Sequence, residues 1–195
     1  VRALYVANRI YEVTGEGYGP GGEVRFEGGK ADALHAVPLL ELASIHLGCN
    51  NAHLVEEDGA WKVIGDPTEG ALLAAGLKAG GDRARIEKEL PKHHEIPFDS
   101  DRKLSTVIRR MPDGRFRAHV NGAPDVLLER CSSFYAGDAT SPLTDEDRQR
   151  TVGGRTFRAD DRRVQKFRIF GGGRPGQLAG CCRGDRAHVD QDAAG

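Results

Sequence analysis

Cysteine is scarce and poorly placed for cross-linking: the four are Cys49, Cys131, Cys181 and Cys182, two of them adjacent and none in a CxxC pair. That argues against a disulfide framework or a cysteine zinc site and fits a reducing compartment. Long hydrophobic runs are lacking too. The apolar stretch Ala36–Cys49 is interrupted by Glu41 and His46 and falls short of the ~20 residues needed to cross a bilayer. Nothing at the N-terminus resembles a signal peptide. The segment is therefore expected to be soluble, and any work at a membrane would need another part of a longer chain to hold it there. An excess of one charge is also missing. With 28 Lys+Arg against 29 Asp+Glu the formal net charge is -1, so no electrostatic case exists for nucleic acid or for direct contact with an anionic membrane surface. No G-x-x-x-x-G-K-[ST] phosphate loop occurs, which argues against a stand-alone nucleotide-hydrolysing enzyme. His93 and His94 are adjacent rather than helically spaced and are assigned to the surface instead of a metal.

What is present is a chain of 195 residues, long enough to bury a real core and to form one or at most two domains. Val1–Ile10 reads as a strand, followed by a glycine-punctuated loop and an extended piece at Glu23–Phe26. A helix follows, with Pro38 in its first turn and Leu40, Ala43 and Leu47 on one face. Two short strands flank the turn Glu56-Glu57-Asp58-Gly59, and the next helix, opening at Pro67, ends at Gly80-Gly81. Asp82–Leu90 is read as a further helix, ended by Pro91. From Glu95 one extended run leads to Pro112-Asp113-Gly114, a strong turn signal, and a second run follows, which predicts an antiparallel hairpin. Pro124 then opens a helix reaching about Cys131. The order predicts an α+β domain, mainly antiparallel sheet with flanking helices, over residues 1–150. Residues 151–195 are rich in Arg and Gly with almost no apolar periodicity outside Val164–Phe170; this tail is expected to bury little surface and to be largely disordered.

The stretch VIGDPTEGALLAAG, Val63–Gly76, carries the first functional question. Asp66 suits an N-cap, Pro67 suits the first helical position, and Glu69 can reach back to a free backbone N–H, so a helix cap explains all of Asp66–Glu69 without a ligand. Two more motifs follow in order: PFDSDRKLS at Pro97–Ser105 and VNGAPDVLLERC at Val120–Cys131. With GDPTEGALL at Gly65–Leu73, and with the supporting stretches Tyr11–Val24 and Cys49–Ala52, they resemble the nucleotide-binding domain of P-type cation-transporting ATPases, in the calcium-pump-like and sodium-pump-like branch. The resemblance covers about Arg2–Arg150.

The resemblance implies ATP, carried with Mg2+ in an intact pump, and it implies partners: phosphorylation and actuator domains and membrane helices of a parent pump, at the cytoplasmic face of a membrane. It assigns Phe98 to stacking on adenine, Lys103 to the phosphates, and Glu69 to the adenine edge, where a carboxylate accepts a hydrogen bond from an exocyclic amine. Asn121, Gly122 and Ala123 fall on the pattern KGA of the same pocket. From the residues alone Phe98, in the apolar run Ile96-Pro97-Phe98, reads as a core side chain, and only the motif turns it toward a ligand. Arg102 is expected to point away from Lys103, because side chains alternate along an extended segment.

Three departures accompany the match. Asn121 stands where the family has lysine, which brings no charge to the phosphates and implies weaker ATP binding. Lys103-Leu104-Ser105 is one residue short of the commonest family spacing, which flips later side chains unless the loop absorbs it. No family-like helix and strand follow Arg150, so the tail is read as a frameshifted, truncated or foreign continuation and the sheet as incomplete. No DKTGT aspartate occurs, so the segment alone is expected to bind ATP and turn over nothing. The alternative is a degenerate remnant that binds no nucleotide and serves at most as an interaction module.

Overall fold

A computed structural model of the chain describes residues 1–7, 9–31, 37–136, 139–152 and 168–173. Cys181, Cys182 and most of the tail lie outside these residues. The N-terminal part is a four-stranded meander of β1 (Ala3–Val6), β2 (Arg9–Val13), β3 (Val24–Phe26) and β4 (Gly29–Lys30), every pair antiparallel. The single strand expected over Val1–Ile10 is thus two strands. The chain reverses after Ala7, which takes a left-handed φ of 50° with no glycine or proline to announce it.

Helix α1 (Val37–Gly48) runs through the middle of the molecule. Leu39 and Ala43 pack on β1–β3, Ile45 packs with Val107, and Leu47 packs with Leu73 and Ile86. It is buried on more than the single face the sequence predicts: the spacing picks out Leu40, yet Leu39 is the fully buried residue and Leu40 only partly so. A helix with neighbours on several sides needs apolar residues around most of its girth, which blurs the periodicity. Its one acidic side chain, Glu41, pairs with Arg117 at 3.2 Å.

The hairpin β5 (His53–Glu57) and β6 (Ala60–Ile64) leads into α2 (Pro67–Lys78), and α3 (Arg83–Glu89) follows. The cap of α2 matches the expectation: the Asp66 carboxylate accepts from the N–H groups of Thr68 and Glu69, and Pro67 opens the helix. A second antiparallel sheet has the order β12-β9-β8-β7, with β7 (Lys92–Asp99) at one edge, then β8 (Leu104–Arg110), β9 (Phe116–Gly122) and β12 (Arg168–Gly173). The hairpin around Pro112-Asp113-Gly114 is β8–β9. Helix α4 (Pro124–Arg130) covers this sheet through Leu127 against Leu104 and Val120, with the hairpin β10 (Ser133–Ala136) and β11 (Ala139–Pro142) and helix α5 (Asp145–Val152) beyond it. A reciprocal Thr144–Asp147 cap starts α5. The fold is the expected α+β class.

One further expectation needs correction. The extended run from Glu95 is broken into β7 and β8 by a tight turn, because the Asp99 carboxylate accepts from the N–H groups of Asp101 and Arg102 and the Lys103 N–H closes on the Asp99 carbonyl. On the other side of β9, Arg168–Gly173 pairs with Asn121 back to Phe116, Arg168 opposite Asn121.

Candidate functional site

The sequence between Ile96 and Ser105 builds an exposed aromatic on an edge strand. Proline offers no N–H to a ladder and is tolerated at edges and bulges, and Pro97 sits at such a bulge: Ile96 pairs with Thr106 but Asp99 pairs with Leu104, a one-residue shift in register. Phe98 lies within this irregularity and is 65% exposed, so it is no core side chain. The turn that follows ends at Lys103, itself exposed, with a left-handed φ of 55°. The short spacing before Ser105 thus meets a loop with its own irregularity. Arg102 lies in the turn, so strand alternation does not orient it; its backbone N–H bonds to Asp99, and its guanidinium comes within 3.5 Å of Thr106 Oγ1.

The third motif meets the second at the backbone. The Ala123 N–H donates to the Lys103 carbonyl at 3.2 Å. Gly122 is required there, since a Cβ would fall 2.4 Å from that same carbonyl oxygen and 2.3 Å from Leu104 Cδ2. Asn121 turns toward α1: its Nδ2 donates to the Cys49 carbonyl at 2.6 Å, and its buried Oδ1 receives no hydrogen bond from the described residues.

Glu69, half-buried in the first turn of α2, does not bond its own helix start. Its Oε2 accepts the Asn51 N–H at 2.9 Å. The segment Cys49–Ala52 is therefore a hub that sequence reasoning did not single out as functional. Its carbonyl at Cys49 holds Asn121, and those at Asn50 and Ala52 accept from Arg83 at 2.9 and 2.7 Å. The Asn50 Nδ2 reaches the Glu69 carbonyl at 2.7 Å, and the Asn51 Nδ2 reaches Glu95 Oε1 at 2.5 Å on β7. The available signal was a pair of asparagines directly after a helix, residues that bond backbone groups others leave open.

Electrostatically, the Lys92 ammonium, with the Asn51 amide adding to it, holds the Glu95 carboxyl below the usual carboxylate range. Two groups of contacts thus emerge: Lys103 with Gly122 and Ala123 through backbone, and Glu69 with Asn121 through the Cys49–Ala52 hub. Phe98 lies between Glu95, which contacts the hub, and Asp99, which shapes the Lys103 turn. A separate cleft, lined by Glu129, Cys131, Ser132, Leu143 and Arg148 at the C-terminal end of α4, touches none of these residues. Among the described residues no group of three or more His, Cys, Asp or Glu is placed to hold a metal ion.

Residues 38–153 match the family model for the P-type ATPase cytoplasmic domain N, and the chain belongs to that family. It is 32% identical over 151 residues to a calcium-transporting ATPase of Bacillus subtilis, covering 77% of this chain and 17% of that protein. It is 38% identical over 143 residues to the cation-transporting ATPase pma1 of Synechocystis, covering 71% of this chain and 16% of that protein. A plasma membrane-type calcium-transporting ATPase of Arabidopsis thaliana is 38% identical over 96 residues, 47% of this chain and 9% of that protein. The chain spans about a sixth of the length of the first two. No helix among the described residues is long and apolar enough to cross a membrane.

Proposed function

We propose that this domain binds ATP on behalf of a cation-transporting P-type pump, holding Mg-ATP so that the γ-phosphate can reach an aspartate in a separate phosphorylation domain at the cytoplasmic face of the membrane. The observation that carries the proposal is Phe98, a large apolar ring 65% exposed beside the exposed Lys103. In the bound state Phe98 stacks on the base, the Glu69 carboxylate accepts from the exocyclic amine, and Lys103 approaches the phosphates. Gly122 and Ala123 bring backbone close to the Lys103 turn. Asn121 contributes no charge. Transfer of the phosphoryl group to the aspartate would leave an acyl phosphate on the phosphorylation domain, and the actuator domain and membrane helices of the pump would then be the partners of this segment.

The affinity should be modest. Base stacking without a full set of phosphate cations predicts ATP dissociation in the high micromolar to millimolar range, roughly −4 to −5.5 kcal/mol. Titration of the chain with ATP, AMP and GTP should show AMP near ATP and GTP weaker. Phe98→Ala should cost about 1–3 kcal/mol of ATP binding while the domain stays folded; loss of folding without a separable loss of binding would mean a core role for the ring. A second reading, a remnant without nucleotide binding, draws support from the Asn121 amide, which is spent on the Cys49 carbonyl. Absence of saturable ATP binding would favour it.

A further inference from the structure

We infer that Asn51 is a positioning residue for base selection: by joining Glu69 to Glu95 it fixes the Glu69 carboxylate relative to the strand that carries Phe98. The inference rests on the proposal above that Glu69 and Phe98 hold the base. The two residues sit on separate elements, Glu69 in the first turn of α2 and Phe98 at the bulge of β7. Asn51 touches both elements. Its backbone N–H donates to Glu69 Oε2 at 2.9 Å, and its side-chain Nδ2 donates to Glu95 Oε1 at 2.5 Å. Lys92 Nζ holds the other Glu95 oxygen at 2.9 Å.

Around this link the backbone has little freedom. Asn50 Nδ2 bonds the carbonyls of His46 and Glu69 at 3.1 and 2.7 Å, its Oδ1 accepts from the Ala52 N–H, and Arg83 takes the carbonyls of Asn50 and Ala52. A carboxylate tethered by one oxygen to such a segment presents its second oxygen, Oε1, in a fixed direction. That matters because an ionised carboxylate only accepts hydrogen bonds. An adenine amine donates to it, whereas guanine sets a carbonyl oxygen at the equivalent edge, and two acceptors repel. A carboxylate free to swing would turn away from guanine and lose the discrimination; a fixed one cannot. Discrimination by a polar group depends on such preorganisation, since the penalty for the wrong partner is paid only if the group cannot relax.

The test is calorimetric titration of the full chain with ATP and with GTP, for the parent and for Asn51→Ala, Glu95→Leu, Glu95→Gln and Phe98→Ala. Asn51→Ala and Glu95→Leu should each reduce the ratio of ATP to GTP affinity by about 2- to 10-fold, the effect of one hydrogen bond. Glu95→Gln keeps a carbonyl oxygen for Asn51 Nδ2 and should hold the ratio near the parent value. Phe98→Ala should weaken both nucleotides and leave the ratio unmoved. If Asn51→Ala does not fold, Glu95→Leu reads the same link. Equal weakening of ATP and GTP, or none, in the Asn51 and Glu95 variants would overturn the inference while a Phe98→Ala loss kept the nucleotide proposal standing. ATP binding that is absent, or indifferent to Phe98→Ala, would overturn both.

Discussion

Asn121 occupies the position where the resemblance implies a lysine, and its surroundings hold the amide at one end. One end of the side chain satisfies the Cys49 carbonyl at 2.6 Å, and the other is buried without a donor among the described residues. Cys49 itself packs its thiol 3.8 Å from Ser105 Oγ, the residue paired with Asn121 across β8 and β9. A lysine placed there by Asn121→Lys has a longer reach and a charge that acts at a distance. It is expected to tighten ATP more than AMP, with a gain that shrinks as salt is raised and the Debye length falls below about 10 Å. Titration of both nucleotides at low and high salt measures this. If ATP affinity is unchanged and only thermal stability falls, position 121 braces the Cys49 carbonyl and does not face the phosphates.

At the scale of elements, the corner between α3 and the second sheet is held by charges. Arg109, only 2% exposed, donates to the carbonyls of Gly48 and Leu90 and pairs with Glu87 at 2.8 Å. The bond from Arg109 holds the Glu87 carboxyl below the usual carboxylate range against its partial burial, and Lys92 does the same for Glu95. A folded value lower than the unfolded one means that the unfolded chain takes up protons first as pH falls. Both pairs therefore stabilise the fold above the ordinary carboxylate range and lose that contribution as pH drops through their lowered values. Glu41 runs the other way: burial lifts its carboxyl, with Arg117 opposing, so its contribution is present below the ordinary range and is lost as pH rises through the raised value. Glu87→Gln should accordingly be less stable than the parent near neutrality, by about 1 kcal/mol or less because a half-exposed pair is screened by water. The difference should shrink as pH falls below the ordinary carboxylate range and vanish once the pH has passed the lowered value, where the parent carboxyl is protonated as well. Thermal melts across that range decide the point; an offset that is constant with pH would show that the pair contributes packing alone.

For the whole molecule, the open question is what residues 151–195 add. Strand β12 lies along β9 with three consecutive glycines, Gly171–Gly173, in its six residues. Glycine in a strand costs backbone entropy and brings no side chain to pack, so β12 is a weak strand that covers an edge. We propose the boundary of the nucleotide-binding domain near Arg150. A chain ending at Val152 should then fold and keep the ATP affinity of the full chain. It should also self-associate more readily, since β9 would present unpaired N–H and C=O groups along its free edge. Circular dichroism, ATP titration and sedimentation of the two lengths test this. Loss of folding in the shorter chain would make β12 an integral strand of the domain.

The sequence by itself determined the class of the fold and named the candidate residues for the site. Local chemistry was sufficient there: Asp66 and Pro67 set the start of α2, Pro112-Asp113-Gly114 turns β8 into β9, and Pro124 opens α4. The three ordered motifs named Glu69, Phe98, Lys103 and Asn121 without coordinates. Only the tertiary structure decided what surrounds each of them. Whether Phe98 is core or exposed depends on a bulge in a ladder whose register two other strands impose. Why Glu69 bonds Asn51 and not its own helix start, and why Asn121 faces Cys49, depends on where α1 ends in space. Spacing along a chain specifies which side of a helix or strand a residue occupies. It carries no record of which backbone carbonyl or N–H a distant segment will bring within 3 Å, because that is settled by the packing of α1 between the two sheets.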